Sequence, residues 1–298
     1  MFTGLSAFPL TPVSEQGVRE DEFTHFVARL ASARVDSIGV LGSTGNYMYL
    51  SREARARVTR LAVDSAGDVP VVAGIGALST REVIRLAEDA QKAGASGVLL
   101  APVSYQTLTE EEAFCHYKAV CDTLDVPLCV YDNPGTTHFA FSDALHARIA
   151  ALPRVASIKI PPVPLDRDAA QTRIERLRAL IPDDVTIGIS GDPAAATALA
   201  AGCDGWYSVL GGLFPDAALA ITRAAQAGNI EDARRVSATF EPLWALYREH
   251  GSLRVIATAA EVLGLASAPC LPLPLKTLTG EARQRVERFC DLALDHTR

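Results

Sequence analysis

The chain has 298 residues, 49% of them hydrophobic and 21% charged, with a formal net charge of −7 and an isoelectric point near 5.4. That acidity argues against nucleic acid or an anionic membrane as partner, and the length allows one large α/β domain or two ordinary ones. No apolar stretch reaches the ~18 residues of a membrane span, and Met1-Phe2-Thr3-Gly4 lacks the basic start of a signal peptide, so a cytoplasmic protein is expected.

Eight short apolar runs follow one another: Leu5–Leu10, Ser37–Thr44, Pro70–Gly76, Gly97–Pro102, Pro127–Asn133, Val155–Pro161, Val185–Asp192 and Gly205–Gly211. Each is almost continuously apolar, as expected of a strand covered on both faces of its sheet. Amphipathic helical patterns fill the gaps: Arg19–Ser32, Ser51–Ala66, Thr80–Ala93, Glu110–Thr123, Ser142–Ala151, Asp166–Ile181, Pro193–Ala201 and Pro215–Ala227. Eight βα units in about 225 residues predict a (β/α)₈ (TIM) barrel over residues 1–227. A doubly wound open sheet is disfavoured, because no GxGxxG opens a helix after the first strand and because the count is eight. From Ile230 to Leu265 the pattern is helical, with Trp244, Leu246 and Tyr247 suited to one packed face. Pro269–Pro274 reads as a rigid linker and Gly280–Arg298 as a last helix, giving a three-helix extension over residues 228–298.

Barrel sites form where strands end, so the residues closing each run carry the functional information. Run two ends in Gly42-Ser-Thr-Gly-Asn46, a turn whose amides and hydroxyls suit a carboxylate or phosphate; an ordinary βα turn is the plain alternative. Run five ends in Tyr131-Asp-Asn-Pro-Gly-Thr-Thr137, which places a phenol at the mouth, as a core cap or a proton shuttle. Run six holds Lys159, inside Val155-Ala-Ser-Ile-Lys-Ile160. An ammonium without a partner is costly out of water, so a lysine enclosed in such a strand tends to lose its proton and become a nucleophile able to form a Schiff base. A strand-end lysine reaching solvent is the alternative. Run seven closes with Ser190-Gly-Asp-Pro193 and run eight with Gly205-Trp-Tyr-Ser-Val-Leu-Gly-Gly212. The six cysteines have no metal-like spacing and read as reduced, mostly buried thiols. The six histidines form no HxH or HExxH cluster, so no metal site is expected.

These motifs, in this order on runs two, five, six, seven and eight, resemble those of the dihydrodipicolinate synthase and N-acetylneuraminate lyase family of Schiff-base aldolases, and the resemblance covers essentially the whole chain. It implies a barrel with a helical C-terminal domain, commonly a dimer or tetramer, acting on pyruvate or a 2-oxo acid and an aldehyde. No cofactor is implied beyond the covalent imine. By matching motif, Lys159 corresponds to the imine-forming lysine, Tyr131 to the proton-relaying tyrosine, and Ser43 and Thr44 to the residues that grip the pyruvate carboxylate. Thr44 also joins the hydroxyl relay, and Tyr207 of run eight is a further candidate substrate contact.

The departures concern the second substrate. Synthases carry an arginine two residues after the proline of the run-five motif, and this chain has Thr136, which cannot offer the bidentate pair an arginine gives a carboxylate. His138, close by, either meets a polar acceptor or faces solvent. Asn46 replaces the glutamate of the family's GxxGE turn. Ser104 stands where synthases place a tyrosine that crosses a dimer interface; either Tyr105, one residue later, substitutes for it after a small backbone shift, or the cross-subunit relay is absent. Asp192 is followed by Pro193 and Ala194, not by the acidic residues with which the lyases hold sugar hydroxyls. The expectation is a pyruvate aldolase or lyase of this type. The alternatives are a synthase with a modified aldehyde site and a non-catalytic 2-oxo-acid-binding relative.

Overall fold

The structure is a computed structural model and describes residues 1–295. Eight strands, β1 (Gly4–Ala7), β2 (Ser37–Val40), β3 (Val71–Gly74), β4 (Gly97–Leu100), β5 (Leu128–Tyr131), β6 (Val155–Ile160), β7 (Thr186–Ile189) and β8 (Gly205–Ser208), run parallel around a closed barrel. Closure is made by β1, which pairs with β8 through Gly4↔Gly205 to Ala7↔Ser208 and with β2 through Ser6↔Ser37. The strands are shorter than the apolar runs because the chain stays buried after it leaves the ladder. Leu41, Ile75 and Ala101 are all buried beyond their strand ends, and Leu41 has already turned into the left-handed region at φ 57°.

Around the barrel run α1 (Glu20–Ala33), α2 (Arg52–Ser65), α3 (Thr80–Lys92), α4 (Glu110–Cys121), α5 (Asp143–Ala150), α6 (Arg167–Arg178), α7 (Ala195–Ala200) and α8 (Pro215–Gln226). Local chemistry sets their starts. Ser51, Ser79, Ser142 and Asp166 each accept the amide three residues on, and Thr109 with Glu112 forms a reciprocal capping box. Pro215 opens α8, where an amide would have no intrahelical partner.

The C-terminal extension has four helices, not three: α9 (Ile230–Ala238), α10 (Glu241–His250), α11 (Ser252–Val262) and α12 (Gly280–Asp295). The continuous helical pattern of 230–265 is cut twice. Pro242 starts a new helix after Phe240, and Gly251 at φ 79° turns the chain between α10 and α11. Phe214, Phe240 and Phe289 meet with centroids 5.8–6.3 Å apart and join the start of α8 to the extension. The Pro269–Pro274 linker is pinned by Val13 N–H to the Cys270 carbonyl (3.0 Å) and by Arg19 to the carbonyls of Ser267 and Pro269 (2.6 and 3.2 Å). The last three residues of the expected final helix, 296–298, lie outside the described residues. All six cysteines are free and five are buried, Cys115 being exposed. Burial raises the thiols of Cys121, Cys203 and Cys290 to about 12, so they stay protonated. No described helix is long and apolar enough to cross a membrane.

Asp192 ties β7 to β8. Its carboxylate accepts Trp206 Nε1 (3.0 Å), Ser208 Oγ (3.2 Å) and the amides of Val209 (3.2 Å) and Leu210 (2.7 Å). Complete burial still raises its pKa from 3.8 to about 6, outweighing those donors. A carboxyl raised on folding contributes stability that is full below the unfolded value and lost as pH rises through the folded one. The loss across pH 4 to 7 is on the order of 3 kcal/mol. Asp192→Asn should be less stable at pH 4, where an amide N–H opposes the Leu210 amide, and denaturant melts of the two proteins should converge towards pH 7. A wild type that gains on the variant with rising pH would show that the four donors outweigh the desolvation.

Candidate active site

The site grows from the register of two adjacent strands. Tyr131 is the last residue of β5 and pairs across the ladder with Lys159 of β6, so both side chains enter the barrel at one level. Lys159 in turn pairs with Gly188 of β7. The lysine is only 5% exposed. Its Nζ lies 4.1 Å from the ring centroids of both Phe8 and Tyr131 and 5.5 Å from that of Tyr207. The expected enclosed amine is therefore present, walled by three aromatic rings.

Glycines make room for those rings. A Cβ on Gly188 would stand 2.2 Å from Tyr207 Cε2, and one on Gly39 would stand 2.3 Å from Phe8 Cζ. Phe8 and Tyr207 then meet edge to face, 6.1 Å apart at 72°. Beneath them Cys129 Sγ donates to the Tyr207 hydroxyl (3.3 Å), which lies 2.6 Å from Ser157 Oγ; Ser157 donates onward to the Thr186 carbonyl (3.3 Å). Burial raises the Tyr207 phenol well above its ordinary value and the Cys129 thiol to about 11, so both keep their protons and this chain of donors is consistent. Tyr207, read from sequence as a substrate contact, has its hydroxyl turned into this internal network.

Opposite, the Gly42–Asn46 turn is closed by Gly45 N–H to the Gly42 carbonyl (2.9 Å) and Asn46 N–H to the Ser43 carbonyl (3.3 Å), and takes no such bond from the amides of Ser43 or Thr44. Thr44 is buried and Ser43 half-buried. Asn46 is buried, sits at φ 58° and donates from Nδ2 to the Thr11 carbonyl (3.0 Å). An amide thus braces the loop through a hydrogen bond, where the family's glutamate carries a charge. Arg55 on α2 supports the neighbouring strand end, donating to the carbonyls of Gly74 (2.9 Å) and Gly76 (3.0 Å). Behind Tyr131, the buried Asp132 and His146 approach at 3.3 Å, with His146 stacked on Phe141.

The other candidates are not gathered at the amine. Thr136 is exposed on the single helical turn Pro134–Thr137, and His138, also exposed, closes that turn at φ 56°. Ser104 is half-buried, while Tyr105 is 90% exposed on the loop after β4. Phe8, Gly39, Gly188 and Ser157 are site-forming residues that the sequence did not reveal. Phe8 lies in an apolar run where a phenylalanine reads as ordinary core, and the two glycines gain meaning only from the rings that face them. No group of His, Cys, Asp and Glu able to hold a metal ion occurs among the described residues.

Gly188→Ala should push the Tyr207 ring off its place and cost about 1–3 kcal/mol. The check is a denaturant melt, with Gly135→Ala as the reference, since Gly135, like Gly188, lies outside the left-handed region but has nothing within 4 Å of where a Cβ would stand. Equal losses in the two variants would show that ring contact at Gly188 is unimportant.

The chain matches the model of the dihydrodipicolinate synthetase family over residues 1–292. It is 34% identical over 291 residues to a 4-hydroxy-tetrahydrodipicolinate synthase of Rhodospirillum centenum, covering 96% of each chain. Among solved structures it is similar to a dihydrodipicolinate synthase of Agrobacterium tumefaciens, with 50% identity, a TM-score of 0.93 and 97% of each chain covered. A putative dihydrodipicolinate synthetase of Pseudomonas aeruginosa shares 28% identity at a TM-score of 0.89, covering 98% of this chain and 99% of its own.

Proposed function

Because this chain belongs to the dihydrodipicolinate synthetase family, and is with it a lyase of the Schiff-base pyruvate-aldolase class, we propose that Lys159 is the amine that forms the imine. The observation that carries this is the buried Lys159 Nζ 4.1 Å from the ring of Tyr131, at the carboxyl ends of adjacent strands.

The neutral amine attacks C2 of pyruvate and the carbinolamine loses water, leaving a protonated imine. That cation draws electrons from C3, a C3 proton leaves, and the enamine attacks the carbonyl carbon of an aldehyde; hydrolysis then frees the product and the lysine. Run backwards, the same steps cleave a 2-oxo acid to pyruvate. Tyr131 moves the protons. The turn residues Ser43 and Thr44 hold the carboxylate through amides and hydroxyls that the fold leaves uncommitted. Tyr207, one layer below, shapes the floor. The electron sink is the imine itself, so the reaction as proposed uses no metal or separate cofactor.

Borohydride with pyruvate should add one reduced pyruvyl group to wild type and none to Lys159→Ala, read by intact mass. Absence of the adduct in wild type would refute the reading. Tyr131→Phe should still trap pyruvate while exchanging its methyl protons with deuterium oxide about 10²–10⁴-fold more slowly, followed by proton NMR.

The aldehyde side is proposed to be modified. Thr136 offers no cation for a carboxylate-bearing aldehyde. The curated relatives nevertheless favour a second reading, in which 4-hydroxy-tetrahydrodipicolinate synthase activity persists. Turnover with pyruvate and aspartate semialdehyde decides between them. We expect Thr136→Arg to raise kcat/KM for that aldehyde at least tenfold, the order of one charge-assisted hydrogen bond, and a wild type already as fast as the variant would favour the second reading. A homo-oligomer, dimer or tetramer, in the cytoplasm completes the proposal: the exposed Tyr105 would meet substrate only across an interface between copies.

A further inference from the structure

The protonated imine proposed above is a cation formed away from water, and apart from the substrate's own carboxylate no acidic side chain among the described residues is paired with its nitrogen. Lys159 takes part in none of the ion pairs among the described residues, and its nearest surroundings are ring faces. Two of those rings are equally close, but they differ in kind. Tyr131 carries a hydroxyl with a role in proton movement. Phe8 has no polar atom, so it acts only through its packing and its π face.

Phe8 is also held firmly. Its amide donates to the Ser208 carbonyl at 2.9 Å. Its ring covers Gly39 and Gly42, where a Cβ would come within 2.3 and 2.8 Å of it, and Gly212 lets another backbone approach its carbonyl so closely that a Cβ there would lie 2.1 Å from the oxygen. The edge-to-face contact with Tyr207 fixes it from the other side. Four features, three glycines and one tyrosine, therefore keep one benzene ring against one nitrogen.

We propose that Phe8 is the electrostatic partner of the imine nitrogen, its ring face stabilising the cation that Lys159 forms with the 2-oxo acid. The physical basis is the negative face of the ring quadrupole, which attracts a cation most where water is excluded. A carboxylate would bring a full opposite charge to the same place, where the ring acts through its quadrupole alone. The inference rests on the reading of Lys159 as the imine-forming residue.

The test places phenylalanines bearing one, two or three ring fluorines, and separately cyclohexylalanine, at position 8 of the full-length chain by site-specific incorporation. The readout is the pyruvate concentration giving half-maximal borohydride trapping at Lys159. Fluorine drains the ring face at almost unchanged shape, so a purely packing role would not produce a graded response. The expected result is a stepwise weakening with each fluorine, and a loss of roughly 3- to 30-fold for cyclohexylalanine. A fluorinated series that stays within about twofold of wild type would overturn the role of the ring face. If wild type traps pyruvate and the series is flat, only this inference falls; if wild type itself traps none, the imine reading falls and takes this with it.

Discussion

Space inside a closed eight-stranded barrel is fixed by strand number and tilt, and the rest of the site follows from how that space is divided at the level of Lys159. Two of the positions facing that level are glycines, Gly39 and Gly188. The volume they release is filled by Phe8, just past the end of β1, and by Tyr207 of β8, the strands whose pairing closes the barrel. The amine is therefore enclosed by its own barrel, before any loop or neighbouring chain is considered. An amine so enclosed is held away from water by packing, and the same packing gives it aromatic faces in place of counter-charges.

The buried polar groups divide into two sets. Tyr207, Ser157 and Cys129 form a closed donor chain, and Asp192 has four donors on its carboxylate. These are satisfied and rigid, as buried groups generally must be, and they hold strands in place. The amides of Ser43 and Thr44 are used by neither the turn nor the strands. Amides left free in such a turn are able to receive an anion. Burial alone does not draw this contrast, since Lys159, Thr44 and Tyr207 are all buried.

The inner and outer halves of the site differ in character. Around Lys159 the rings of Tyr131 and Tyr207 come from strand residues whose positions the ladder sets, and Phe8 directly follows β1. Further out, Thr136, His138 and Tyr105 lie exposed on loops. The inner half holds the enclosed Lys159, and the outer half holds Thr136 and Tyr105, where this chain departs from the family's motifs. The 34% identity to a curated synthase and the 50% identity to a solved one are compatible with such a division, because a barrel keeps its core while its loops vary.

Much of this was legible in the chain itself. Continuous apolar runs separated by amphipathic helices determine a parallel sheet covered on both faces, and the count of eight points to a closed barrel. One lysine within such a run, a tyrosine closing the run before it and a Gly-Ser-Thr-Gly turn mark the candidate chemistry, since strand ends share one mouth. The helix count of the extension was not legible, because a period of 3.6 continues through Phe240 and Gly251 while the backbone does not. Nor were the roles of Phe8, Gly39, Gly188 and Ser157, or the inward turn of the Tyr207 hydroxyl. These depend on which residues face one another across the barrel, and closure alone decides that: strands distant in sequence become neighbours in register, and a missing side chain on one is filled by a ring from another.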